Sequence, residues 1–325
     1  CRGVIETILR LGWKPDILHL NDWQTGLIAA MVKTEYAKEP LFKSTKIIFT
    51  VHNAAYQGVF PKESFEKTGL PASTFKMDGL EFHGKANFLK AGLVYSDVIT
   101  TVSETYAKEV RSSEEYGFGL EGVFKKRAKH TFGLLNGMDT AIWNPATDTM
   151  IPKQFTSEDL SGKLECKKAL CERFKLPFHE NVPVIGIVSR LADQKGFDLL
   201  QEKMADLLDQ NIQLVVLGTG EKRYEEFFTK TAKKHAKNLG VQIGFDEELA
   251  HLIEAGSDMF LMPSKYEPCG LNQMYSLQYG TLPIVRATGG LADTVVDLDE
   301  KPKTGNGFVF TAYSAEDMVK AVKRA

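Results

Sequence analysis

Gly256–Asp293 reads GSDMFLMPSKYEPCGLNQMYSLQYGTLPIVRATGGLAD, and the succession of residue types in it decides the fold. Met259 to Met262 is a short apolar run that stops at Pro263, as a buried parallel strand does where it hands over to a loop. That loop, Ser264 to Leu271, carries Glu267 and Cys269 just ahead of a stretch with helical character, Leu271 to Tyr279. A second strand follows at Pro283 to Arg286 and ends in Thr288-Gly289-Gly290. Strand, polar loop, helix, strand and Gly-rich loop make one βαβ unit. Its working loops lie at the carboxyl ends of the strands, where open α/β sheets bind ligands. The first N–H groups of the helix at 271 lack intrahelical partners and suit an anion or a sugar hydroxyl.

The same alternation fills the second half of the chain. Strands are predicted at 182–189, 212–217, 241–243, 259–262, 283–286 and 307–310, with helices at 197–209, 221–238, 246–254 and 271–279 and another from 314. Units of about 20–30 residues in that order specify a doubly wound parallel sheet. Upstream, Pro145, Pro152 and Pro177 surround a charged helical span, 157–174, and the domain boundary is placed near 178, giving domains 1–178 and 179–325. The first domain repeats the pattern less regularly. Val4 to Leu11 is an amphipathic helix closed by Gly12, and Pro15 to Leu20 is a short buried strand. A helix at 27–36 and a nearly all-apolar strand at 46–51 follow. Residues 56–84 show no sustained period and are expected to form loops and short helices. A helix at 87–93 leads to a strand at 98–102, Ser103 caps the next helix, 111–122 reads as a flexible polar segment, and 131–135 is a strand.

The 325 residues, 43% of them hydrophobic, with a formal charge of −2, are enough for two domains with substantial cores. Near-neutral charge supplies no general attraction to nucleic acid or to an anionic membrane, and no apolar run approaches the ~18 residues of a membrane span. Cys1, Cys166, Cys171 and Cys269 are too few and too irregular for a disulfide framework or a zinc site, so reduced thiols in a reducing compartment are expected. Nothing at the start has the layout of a signal peptide.

Chemistry gathers at the strand ends. Arg190 and Lys195, five residues apart after an apolar strand, with a helix start near Gly196, suit a diphosphate whose charge grows as a bond to it breaks. Glu267, between Tyr266 and Pro268 at a strand end, must be paired or face a ligand. Cys269 has no readable His partner and is expected to line the pocket as a packed thiol. Gly270 and Leu271 offer backbone N–H groups. Gly218-Thr219-Gly220 lacks the third glycine of a dinucleotide fingerprint, since Arg223 stands there, and reads as a tight strand-to-helix turn.

Four segments carry a resemblance. Lys265 to Leu271 resembles the E-P-C-G-L segment of bacterial glycogen synthases and plant and algal starch synthases. Ser189 to Gly196 is similar to that family's S-R-L-x-x-Q-K-G loop, Val51-His52-Asn53 to its acceptor-side loop, and Leu135 to Asp139 to its L-N-G-[IV]-D turn. The order is the family's and the whole chain is covered. The resemblance implies a GT-B fold: an α/β protein of two Rossmann-like doubly wound parallel-sheet domains facing a central crevice, the first incomplete. It implies a retaining glucosyltransferase that moves glucose from ADP-glucose to the non-reducing end of an α-1,4-glucan, needs no metal or other cofactor, and releases ADP. Arg190, Lys195 and Glu267 are the catalytic residues it implies, the first two holding the phosphates in place of a divalent metal. Asn21, Asp22, His52, Asn53, Asn136, Gly244, Phe245, Cys269, Gly270, Leu271 and Asn272 are the further substrate-binding residues, with Phe245 near the adenine. Asn21, where many glycogen synthases have His, leans toward the starch-synthase type, and His19 is read as structural. The resemblance also implies a bacterial cytoplasm, or a plastid in a plant or alga. It makes this chain a central piece lacking the K-x-G-G loop and the terminal helices. A noncatalytic binding piece, a related transferase with another donor, and a phosphorylase, which would need a pyridoxal-phosphate lysine, are the alternatives.

Overall fold

The computed structural model describes residues 1–325, which form two compact units, Cys1–Leu135 and Asn136–Ala325. In the first unit α1 (Arg2–Leu11) buries Ile5 and Ile8 and ends at Gly12, whose φ of 60° lets its N–H reach Ile8 O and Leu9 O. Then come β1 (Ile17–Asn21), α2 (Asp22–Lys33) and β2 (Lys46–Val51), in which Ile47, Phe49 and Val51 are fully buried. β3 (Val59–Phe60), α3 (Lys62–Glu66), β4 (Glu81–Phe82) and β5 (Lys85–Asn87) occupy the aperiodic stretch. They contain a small antiparallel sheet, order β3-β5-β4, that period alone does not reveal. α4 (Phe88–Tyr95), capped by Asn87, leads to β6 (Val98–Thr101). α5 (Glu104–Glu109) is capped by Ser103 as expected, its hydroxyl accepting from the Tyr106 N–H.

The segment expected to be flexible and polar instead forms α6 (Glu114–Gly117) and the start of α7 (Glu121–Lys126), pinned by Leu120 and Phe124, both fully buried. With β7 (Thr131–Gly133) the main sheet has order β1-β2-β6-β7, all parallel. Two further expectations change here. β1 alternates exposed and buried along its length, as an edge strand does, rather than being buried throughout. α2 begins at Asp22 and not at Leu27, because Asp22, at φ 56°, turns the chain straight from strand into helix.

The second unit contains α8 (Ser161–Arg173), β8 (Val184–Val188), α9 (Phe197–Leu208), β9 (Gln213–Gly218), α10 (Lys222–Lys234), β10 (Leu239–Ile243), α11 (Glu247–Gly256), β11 (Met259–Met262), α12 (Asn272–Gln278), β12 (Leu282–Arg286), α13 (Gly289–Thr294), β13 (Phe308–Phe310) and α14 (Ala315–Arg324). Its six parallel strands have the order β10-β9-β8-β11-β12-β13. Counted from β8 this is 3-2-1-4-5-6, the doubly wound arrangement in which chain direction across the sheet reverses between β8 and β11. Both faces are covered. Leu214 and Val216 of β9 enter the core formed with Phe197, Leu200, Tyr224, Phe228 and Met318, whereas Val215 and Leu217 enter the opposite core with Leu170, Leu249, Ile253 and Leu291. Consecutive apolar residues in one strand are thereby explained, since each face needs its own.

The expected boundary near 178 falls inside the second unit, beyond α8. Residues 136–178 pack on that unit through Trp143, whose indole lies between the His251 and Tyr275 rings at 3.8 and 3.9 Å. Buried Asp148 joins them, accepting from the Tyr279 hydroxyl at 2.5 Å and lying 2.7 Å from His251 Nδ1.

Candidate active site

The reversal between β8 and β11 brings the loops 189–196 and 263–271 side by side, and their backbones are joined. The Lys265 N–H donates to Gln194 O at 2.9 Å, and Gln194 Nε2 donates to Tyr266 O at 3.3 Å. Gly196, at φ 75°, permits this approach, because a Cβ there would lie 2.0 Å from Pro263 O. The consequence is that Lys195 and Glu267, 72 residues apart, meet with Nζ–Oε2 at 2.5 Å. Ser264 Oγ donates to the same carboxylate oxygen at 3.0 Å, and the Glu267 side chain is only 7% exposed. Burial of a carboxylate is tolerated because a cation and a hydroxyl both serve it. From the far side, Arg286 donates to the Lys265 and Ser264 carbonyls and stacks on the Tyr313 ring at 5.3 Å, whose hydroxyl donates to Asp198 at 2.5 Å.

The stretch at Thr288-Gly289-Gly290 is not a loop, as its glycines suggest, but the start of α13 with Thr288 as N-cap residue. Glycine is needed there for contact. Cβ atoms at Gly289 and Gly290 would lie 1.9 Å from Glu267 O and 2.0 Å from Cys269 O, and the Gly290 N–H donates to Glu267 O at 3.0 Å. α13 thus supports the backbone that carries Glu267. The Cys269 thiol is buried beside the Asn136 backbone, and burial pushes its pKa up, so it is a protonated, packed thiol. Gln273 Nε2 reaches back to Cys269 O and Gly270 O at 3.1 and 3.0 Å, fixing the turn before Leu271. α12 has only seven residues and starts at Asn272, so the two cations carry more of any anion binding here than its dipole does.

Two cavities open at this edge. One, of about 170 Å³, is lined by Ser189, Arg190, Lys195, Pro263, Ser264 and Asn272 among others, and therefore holds both cations. The other, of about 260 Å³, is more apolar and is bounded by Leu217, Thr219, Gly244, Phe245, Ala250 and Asn272. Phe245 is 90% exposed, a high figure for a large apolar ring, and Gly244 holds it at the end of β10 through a 3.0 Å bond to Gly218 O. Gly218 to Gly220 do not make the tight turn expected: the Leu191 N–H donates to Thr219 O at 2.9 Å and the Glu221 N–H to Leu191 O at 2.7 Å, so the backbone runs on extended beside Leu191 as far as α10, while Glu225 accepts from Thr219 Oγ1 and the Gly220 N–H at 2.7 and 2.9 Å.

In the first unit the strand ends gather Asn21, Asp22 and His52. His52 Nε2 lies 2.9 Å from Asn21 Oδ1, and the His52 N–H donates to Asp22 Oδ1 at 2.8 Å. Asn53 turns inward on its own loop, accepting from the Ala55 N–H at 3.0 Å. His19 bonds Thr50, and Thr50 bonds Thr100, which fits a structural part. Nearby, Trp23, Tyr56, Gly58 and Phe118 line an open cleft of about 480 Å³ that the motifs do not reveal; its rings come from three separate stretches of chain.

The chain matches the family model described as starch synthase catalytic domain over residues 1–126, and that of glycosyl transferases group 1 over 171–325. It is 48% identical to the glycogen synthase of Thermosipho melanesiensis, over 99% of this chain and 67% of that protein. The chain belongs to the glycogen and starch synthase family. The glycogen synthase of Anaeromyxobacter sp. is 49% identical over 97% of the chain, which spans 66% of that relative's length. The catalytic domain of starch synthase IV from Arabidopsis thaliana, solved bound to ADP and acarbose, superposes with a TM-score of 0.92 at 37% identity, over 99% of this chain and 67% of that one. The two Rossmann-like units are those of the family's GT-B class. The glycogen synthases named here are bacterial, and no helix is long and apolar enough to cross a membrane.

Proposed function

We propose that this chain forms the donor and acceptor sites of an enzyme that transfers glucose from ADP-glucose to the non-reducing end of an α-1,4-glucan, with retention at the anomeric carbon. The observation that carries the reading is the meeting of Lys195 with Glu267 at the sheet's reversal point, where Lys195 and Arg190 line one cavity that adjoins an apolar one edged by Phe245. Arg190 and Lys195 take the diphosphate and offset the charge it gains as the C1–O bond breaks, the work a divalent metal does elsewhere. Glu267 faces the glucose, and Lys195 holds it until the donor's phosphates claim the ammonium. Phe245 and Gly244 bound the place of the base. Gly270, Leu271 and Asn272 border the phosphates and sugar, with Asn136 and Cys269 beneath. Asn21, Asp22, His52 and Asn53 belong to the acceptor side, where the ring-lined cleft offers glucan the stacking surfaces it favours.

A front-face transfer suits this set. The leaving phosphate takes the proton of the incoming hydroxyl while that hydroxyl's oxygen bonds to C1, so no second carboxylate is required. ADP as the nucleotide is supported by the ligand of the Arabidopsis relative. We take 179–325 as the nucleotide-sugar domain with 136–178 as its packed lead-in, and assign the protein to the bacterial cytoplasm on the origin of its relatives. The test is NMR of the product that the protein forms from ADP-glucose and a maltooligosaccharide. A new α-1,4 linkage is expected. A β linkage overturns the mechanism, and ADP binding without transfer moves the reading to a noncatalytic glucan-binding relative.

A further inference from the structure

Glu254, on α11, is fully buried, yet no cation is hydrogen-bonded to its carboxylate. The nearby ammonium of Lys163 gives its bonds to Ala255 O, Tyr279 O and Thr281 Oγ1, at 3.0, 3.0 and 2.7 Å. An acid in such a place costs stability that a leucine of similar size would not, so packing does not account for it. Its two oxygens have specific partners. Ser276 Oγ donates to Oε2 at 2.7 Å, and Asn272 Nδ2 lies 3.4 Å from Oε1. The same Nδ2 is 3.3 Å from Val188 O, a carbonyl that can only accept, and this fixes which way the amide is turned. Both contacts are long, so neither alone holds the amide firmly. Asn272 is the residue, together with Val188, Ser189 and Arg190, that lines both cavities.

We infer that Glu254 is a positioning residue: from behind the site it holds the Asn272 amide with Nδ2 inward, so that Oδ1 is presented to the cavities as an acceptor for a hydroxyl of the nucleotide sugar. The inference rests on the nucleotide-sugar reading of that site. The acid works whether ionised or protonated, since a carboxylic acid can donate to Ser276 and still accept from Asn272. Burial pushes its pKa up to about 8, which makes the protonated form the resident one near neutrality. A hydroxyl is the shared chemistry, and two sources exist, the ribose and the glucose.

Calorimetry with ADP and with ADP-glucose on the wild-type chain, E254Q, E254M, N272A and E254M/N272A separates the possibilities, with Tm recorded for each. Glutamine supplies the same acceptor oxygen, so E254Q is expected to bind within about 2-fold of wild type. E254M and N272A are each expected to weaken ADP-glucose binding by about 5–10-fold, and the double variant to be no weaker than N272A, because both remove one contact. Loss confined to ADP-glucose identifies the glucose hydroxyl; equal loss for ADP identifies the ribose. Multiplying effects in the double variant, or E254M that binds like wild type, overturns the inference. A wild-type chain that binds neither ligand overturns the nucleotide-sugar reading itself. A second measurement does not need the methionine variant to fold. The nitrogen-15-labelled side-chain amide of Asn272 is expected to shift in E254Q while that of Asn306, bonded to Thr294 O, stays in place; an unmoved Asn272 signal overturns the inference.

Discussion

Lys195 and Glu267 are each other's ion-pair partner, so each substitution has a catalytic and a structural component that must be read separately. Truncating Lys195 or Arg190 to alanine is expected to remove ~3–4 kcal/mol of transition-state stabilisation, seen as a fall in kcat of about 10²–10³-fold. Glu267→Gln keeps an acceptor for Ser264 and should preserve Tm while turnover drops sharply; near-normal turnover would remove Glu267 from the chemistry. Cys269→Ser should be mild, because a buried thiol held protonated packs and is no nucleophile. Glu254 gives a pH signature. Its folded pKa is raised from 4.5 to about 8, so between those values the folded state keeps a proton that the unfolded chain has released. Stability therefore falls as pH rises through that window, by at most ~1.4 kcal/mol per unit from this group. Burial lowers Lys163 to about 8; its cost is constant below that value and is relieved only above it, so Lys163 adds no slope in the window. Urea unfolding from about pH 5 to 8 should show wild type losing stability relative to E254Q, and parallel profiles would contradict this. Of these residues Arg190, Lys195, Glu267 and Cys269 were legible in the sequence because they stand in short motifs at strand ends. Glu254 was not, although an acid inside the apolar run Leu252 to Ala255 of a helix is the signal that could have found it.

Among the elements, the close approach of loops makes glycine the sensitive position. Gly196→Ala and Gly289→Ala each place a Cβ about 2 Å from a carbonyl oxygen at a positive φ, so each should lower stability by ~2 kcal/mol or more and loosen the Lys195–Glu267 contact. Gly137→Ala, in open space, should stay within ~0.5 kcal/mol. Differential scanning calorimetry of the three checks the contrast, and a G196A protein as stable as G137A would contradict the packing described. Element type was readable where one physical requirement dominated. β11 was placed to the residue and β2 likewise, since strands covered on both faces must be apolar throughout. α13 was missed because Gly289-Gly290 reads as a loop until the carbonyls of Glu267 and Cys269 pressing on it are seen. The small β3-β5-β4 sheet was missed because strands of two or three residues leave no period to count.

At the scale of the molecule, alternation in the sequence specified a doubly wound sheet but not its order. The 3-2-1-4-5-6 order depends on pairings such as Met259 with Ile185, which join residues far apart in the chain, and local pattern carries no record of them. Yet that pairing is what puts the Arg190–Lys195 loop against the Glu267 loop, and so it underlies every role assigned to these residues. The boundary near 178 followed prolines and charge, whereas the contacts of Trp143, Asp148 and α8 tie 136–178 to the second unit. We propose that the loops after β8 and β11 meet to form a nucleoside-diphosphate-sugar site whose phosphates are held by Arg190 and Lys195. Its most direct test is calorimetric titration of ADP into this chain and into its R190A/K195A variant, with Tm recorded for both. We expect measurable binding that the double substitution weakens at least 100-fold in a protein that is still folded at the titration temperature, although its Tm falls because Glu267 loses its cation; equal ADP binding by the two proteins refutes the assignment.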